Sequence, residues 1–106
     1  MIAKTPQTPP SPPYAPQPTD TSDVALPPEL LALAEQMARH VHEVWAEARI
    51  HEGWTYGPRR DDALRQTPCL VPYDELTDEE RAYDLRTALA TLRLIVKLGF
   101  TITKQQ

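Results

Sequence analysis

From Gly53 to Leu76 the chain reads GWTYGPRRDDALRQTPCLVPYDEL, a stretch with no sustained hydrophobic period. Gly53, Gly57, Pro58, Pro68 and Pro72 punctuate it too closely for a long element, since glycine loosens regular backbone and proline interrupts it. Trp54-Thr55-Tyr56 and Cys69-Leu70-Val71 have the aromatic and β-branched make-up of very short strands. Arg59 to Gln66 has room for one or two helical turns. The stretch is a connector, and the fold depends on what it connects.

Upstream, Pro27-Pro28 suits a helix start, where a missing N–H costs nothing. Leu30, Ala34, Met37, Val41, Val44, Trp45 and Ala48 then recur at steps of three and four. That spacing predicts an amphipathic helix of about 20 residues or more, ending near Gly53. Glu35, Gln36, Arg39, Glu43 and Glu47 supply its solvated side. Downstream, Thr77-Asp78-Glu79-Glu80 is a capping box, with acids at the positive end of the helix dipole. Ala82, Leu85, Ala88, Leu89, Leu92, Ile95 and Val96 form the stripe of a second helix, and Gly99 is its C-terminal cap. Phe100-Thr101-Ile102-Thr103 alternates apolar with polar and predicts a short terminal strand. The expected class is α+β, mainly α. Two long amphipathic helices pack together, joined by a loop with short β-strands and followed by a short C-terminal strand.

The chain has 106 residues and 12 prolines, nine of them within the first 28 positions. Residues 1–26 are accordingly expected to be a disordered Pro-rich tail, and 27–106 the folded domain. The tail's Pro9-Pro10-Ser11-Pro12-Pro13 run reads as a spacer, with a ligand for an SH3-like groove as the rival. Val24, Ala25 and Leu26 are placed to pack back on the domain. A domain of about 80 residues buries little surface in proportion to its size, so self-association would help it. The net charge of −4 argues against a nucleic-acid partner. No stretch approaches the length of apolar sequence that a membrane span needs. A single cysteine, Cys69, excludes an internal disulfide and fits a reducing, cytoplasmic setting, as does an N-terminus without an apolar signal core.

The connector also carries a specific likeness. Val44-Trp45-Ala46, Arg49-Ile50 and Gly53-Trp54-Thr55-Tyr56-Gly57-Pro58 closely resemble the signature of the RyR domain, the ryanodine-receptor repeat. The likeness continues through Arg60-Asp61-Asp62, Pro68-Cys69-Leu70-Val71-Pro72-Tyr73, and on to Leu98-Gly99-Phe100 and Ile102. Leu64 and Thr67 stand where a lysine and a histidine are common in the receptor copies, which removes positive charge from the stretch after Asp62. The resemblance implies a module that catalyses nothing, and receptor copies occur as tandem pairs with rough two-fold symmetry. It implies adenine-containing ligands in the cleft of such a pair, stacked on the Gly-Trp tryptophan. This chain resembles the single-copy prokaryotic type, so a homodimer mimicking the tandem pair, or a larger host complex, is expected.

The residues fit a nucleotide-like ligand on their own chemistry. Trp54 and Tyr56 offer flat faces for a base, and Arg59 and Arg60 offer planar forks for phosphate. Asp61 or Asp62 could accept from a ribose hydroxyl, and Arg49 lies one helical turn before Gly53, facing the same cleft. No cofactor and no metal is expected. The rival is a protein-interaction or scaffold domain with no small-molecule ligand. The structural alternatives are equally concrete: Trp54 in the core, and Arg60 locked to Asp61 or Asp62 merely to hold the loop. Trp45, Tyr73 and Tyr83 read as core residues, and His40, His42 and His51 as surface ones. Cys69, between Pro68 and Leu70, reads as an inert thiol in apolar surroundings.

Overall fold

The structure is a computed structural model that describes residues 13–105. The first twelve residues lie outside the described ones, and with them nearly half of the expected tail and all of its proline run except Pro13. Residues 13–20 have no regular structure and are exposed. The chain then turns at Ser22-Asp23, where Val24 N–H donates to the Thr21 carbonyl at 3.0 Å.

Helix α1 spans Pro28–His51 and helix α2 spans Asp78–Lys97. Between them lie two two-residue strands, β1 (Thr55–Tyr56) and β2 (Gln66–Thr67), and a 3₁₀ turn at Tyr73–Glu75. The helices run antiparallel. Ala34 near the start of α1 meets Ala88 and Leu92 late in α2, whereas Val41 and Trp45 face Glu80, Tyr83 and Asp84 early in α2. Small residues at the first contact let the helix surfaces come together, and Leu26, Met37, Leu85, Leu89 and Ile102 close around it. A second cluster of Ala38, Tyr73 and Leu76 brings the connector onto α1.

The buried line of α1 is Leu30, Ala34, Ala38 and His42, a strict four-residue row. It is rotated from the predicted stripe. Val41 and Val44 are more than half exposed, and Ala48 is exposed too. The predicted stripe shares Leu30 and Ala34 with this line but then runs through Met37, Val41 and Val44, whereas Ala38 and His42 are buried because the connector packs on them through Tyr73, Leu76 and the Val71 carbonyl. His42, expected at the surface, is 5% exposed. Its Nε2 lies 2.7 Å from the Val71 carbonyl, which satisfies a buried polar group and pins the connector.

Both helices end in the same device. Gly53 (φ 90°) and Gly99 (φ 99°) take the left-handed conformation that glycine adopts without penalty. Gly53 N–H reaches the Ile50 carbonyl and Trp54 N–H the Arg49 carbonyl, a Schellman motif; Gly99 and Phe100 repeat it on Val96 and Ile95. At its other end α2 has the expected cap, with Glu80 N–H donating to Thr77 Oγ1 and the Thr77 hydroxyl donating to Glu80 Oε1.

Three local expectations are corrected. The second strand is Gln66–Thr67 rather than Cys69–Val71. Residues 59–66 form a tight turn, not helix, closed by paired backbone bonds between Asp61 and Gln66 at 2.9 Å. No strand forms at Phe100–Thr103, since β1 pairs only with β2; Ile102 instead packs into the Ala34 cluster. The chain entering α1 is held as expected: Leu26 packs on that cluster, and Asp23 receives the Lys97 ammonium at 2.9–3.0 Å.

Candidate functional site

The Schellman turn at the end of α1 explains where Trp54 sits. By bonding Trp54 N–H back to the Arg49 carbonyl at 2.9 Å, it folds the indole over the last helical turn. The Arg49 guanidinium then lies 5.5 Å from the Trp54 ring centroid, and that of Arg60 lies 5.7 Å from it, both within cation–π range. Trp54 is half-buried, neither sealed in the interior nor fully open.

Strand pairing fixes the loop beyond it. β1 and β2 are parallel, Thr55 opposite Gln66 and Tyr56 opposite Thr67. Gly57 permits the close approach, because a Cβ there would stand 2.6 Å from the Cβ of Gln66. Arg65 sits in the left-handed region (φ 53°), and Asp61 Oδ1 accepts from the Leu64 N–H at 3.0 Å, which tightens the turn. Tyr56 projects outward at 59% exposure.

The seven sequence-predicted residues divide between two places. Arg59, Arg60 and Asp61 line a shallow hollow of about 360 Å³ with Pro58, Leu64 and Gln66. Trp54, Tyr56 and Arg49 do not line it; Arg60 joins the two groups by reaching the indole. The acids have structural partners. Asp62 accepts from Arg60 Nε at 2.8 Å, a bond that raises the arginine's pKa, and Asp61 caps its own turn. Arg49 is bonded to Glu52 at 2.8 Å. Arg59 is exposed.

A second hollow, of about 460 Å³, lies between α1 and α2. Val41, Trp45, Leu76 and Tyr83 give it apolar walls, with Glu79, Glu80 and Asp84 along the α2 side. Trp45 stacks on His42 at 5.6 Å between centroids, and is half-buried rather than core. Tyr83, also expected in the core, is 60% exposed. Tyr73 is buried, as expected, and its hydroxyl lies 3.4 Å from the Arg81 carbonyl. The Cys69 thiol donates to the Glu80 carboxylate. Burial first and the neighbouring Glu80 second push that thiol's pKa up, while the same hydrogen bond lowers that of Glu80. The thiol is thus neutral, but through a carboxylate as well as through apolar surroundings. One signal for this hollow stood in the sequence: the row 30, 34, 38, 42 puts His42 on the buried line, and Trp45 three residues on beside it.

Among the described residues no His, Cys, Asp and Glu group could hold a metal ion, and no helix is long and apolar enough to cross a membrane. The family model described as the RyR domain matches residues 14–104 of this chain, its folded part and a stretch of the proline-rich segment.

Proposed function

The chain belongs to the RyR domain family, and from that premise we propose that it is a non-enzymatic recognition module for a small nucleotide-like, adenine-containing ligand. The base stacks against Trp54, and Arg59 and Arg60 receive phosphate. The observation that carries this reading is the half-buried indole with two guanidinium groups within 6 Å of its centroid. Planar cations beside an aromatic face suit an anionic ligand with a flat ring, because the forks pair with phosphate while the base occupies the face. Tyr56 and Arg59, in the same connector, are exposed. The absence of turnover is part of the proposal. The sole thiol is held neutral by burial and Glu80, which deprives it of the thiolate a nucleophile needs.

Calorimetric titration of the full chain with adenine nucleotides and cyclic dinucleotides tests this reading. Saturable heat is expected, with Trp54→Ala weakening binding by about 5-fold to 150-fold, the worth of one stacked base. Silence with every nucleotide at millimolar concentration overturns it, as does unchanged affinity in folded Trp54→Ala.

One observation favours a second reading, a protein-interaction domain working as a homodimer or inside a larger complex. Val44, Ile50 and Leu64 are all at least half exposed, apolar surface that a partner chain would cover. Light scattering on the full chain tests the homodimer: a monomer at high concentration removes it.

A further inference from the structure

The hollow between the helices lies apart from the Trp54 loop and has different chemistry. Its walls are apolar and partly aromatic, through Trp45 and Tyr83 from opposite helices. Its charged groups are carboxylates from one face of α2, Glu79, Glu80 and Asp84. Glu80 is engaged with Cys69 and Thr77. Asp84 makes no hydrogen bond or ion pair among the described residues, although it is half-buried. Burial raises its pKa, Glu80 adds to the rise, and the His42 imidazole opposes it. A carboxylate partly stripped of water and bonded to no side chain among the described residues, beside a half-buried indole and an exposed phenol ring, is complementary to one kind of ligand.

We propose that the groove between α1 and α2 binds a small organic cation, an alkylated ammonium carried on an apolar body, with Trp45 and Tyr83 against its methyl groups and Asp84 as its counter-ion. An alkylated ammonium suits the site better than an inorganic ion. It gives up little hydration on entering an apolar hollow, and aromatic faces attract it through their quadrupoles. The volume of about 460 Å³ is in the range of small-molecule sites. Two arginines compete for these rings: one is Arg86, 5.5 Å from the Tyr83 centroid, and the other is Arg49, 5.8 Å from the Trp45 centroid. Its charge is offset by Glu52 at 2.8 Å, and it is shared with Trp54 on the other side.

The test is an NMR titration of the full chain, following the two assigned indole N–H signals. The probes are benzyltrimethylammonium and its neutral isostere neopentylbenzene, the latter used within its solubility. The cation is expected to shift the Trp45 indole and its neighbours Val41 and Tyr83, leaving Trp54 in place. The neutral isostere is expected to bind about tenfold more weakly or not at all, the worth of a partly desolvated cation–π and charge contact. Asp84→Asn, close in shape, is expected to remove most of that preference. Equal binding of charged and neutral probes overturns the proposal and leaves only a greasy groove. Shifts centred on Trp54, or none at millimolar cation, overturn it too. The comparison of probes on the unaltered chain stands even if Asp84→Asn fails to fold. Nucleotide binding at Trp54 reports on a different indole, so either reading can fail alone.

Discussion

Two stretches of the contact between α1 and α2 are built on opposite plans. Around Ala34, Ala88 and Leu92 the helices meet through small residues, and the surrounding apolar side chains close over them. Around Trp45 large residues face one another across a hollow, and Val41 and Tyr83 stay 56% and 60% exposed. The first contact removes apolar surface from water, the main favourable term in folding. The second leaves apolar surface in water and sets carboxylates beside it, which costs stability and suits a binding surface. One half of the helix pair holds the buried apolar contact, and the other leaves aromatic and carboxylate groups at an open hollow.

The largest expected effects test the closed half. Leu92→Ala removes a 3%-exposed side chain from its centre and should destabilise by about 2–4 kcal/mol in urea unfolding. Tyr83→Ala, in the open half, should cost well under half of that. If the two losses match, the division of labour is wrong. Next comes the connector. Gly57→Ala sets a methyl 2.6 Å from the Gln66 Cβ, so β1 and β2 must part, at about 1–3 kcal/mol. Amide exchange should quicken at Gly57, whose N–H bonds the Thr67 carbonyl at 3.3 Å, with helix amides unaffected. A smaller loss, about 1 kcal/mol, is expected for Thr77→Ala, which deletes the cap of α2.

The subtlest test is pH. The Glu80 carboxyl is lowered chiefly by the Cys69 thiol, so its contribution is present above the ordinary glutamate value. It fades as pH falls through the lower folded value. Asp84 runs the other way: its raised folded value means its charging disfavours the folded state as pH rises through it. Asp84→Asn should therefore raise stability near neutral pH and leave it unchanged at pH 3, as read by thermal unfolding. A loss near neutral pH would show that Asp84 has a stabilising role in the fold and is not a group left over for a ligand.

The sequence made the helices legible because their signals are local. Pro27-Pro28 starts α1, Thr77 with Glu80 starts α2, and Gly53 and Gly99 end them, each through backbone groups a few residues away. The likeness around Gly53-Trp54-Thr55-Tyr56-Gly57 was also legible, and the Schellman turn gives part of its reason: glycine's left-handed freedom puts the indole over Arg49. Less legible was the face of α1 that turns inward. Beyond Leu30 and Ala34, Ala38 and His42 compete with Val41 and Val44 for the buried side, and hydrophobicity alone favours the valines. Nor did residue type reveal that Asp62 is spent on Arg60 and Asp61 on its own turn, since both bonds depend on how the loop closes.

By itself, then, the chain's order of residues determined the two helices, their caps, the irregular connector and the family, because each rests on contacts within a few positions or on a local run of residues. Only the tertiary structure decided which side of α1 is buried, that His42 lies inside and Tyr83 outside, and that Asp84 lines an apolar hollow. Those outcomes depend on how closely two helix surfaces can approach, and that distance is set by the residues of both helices together.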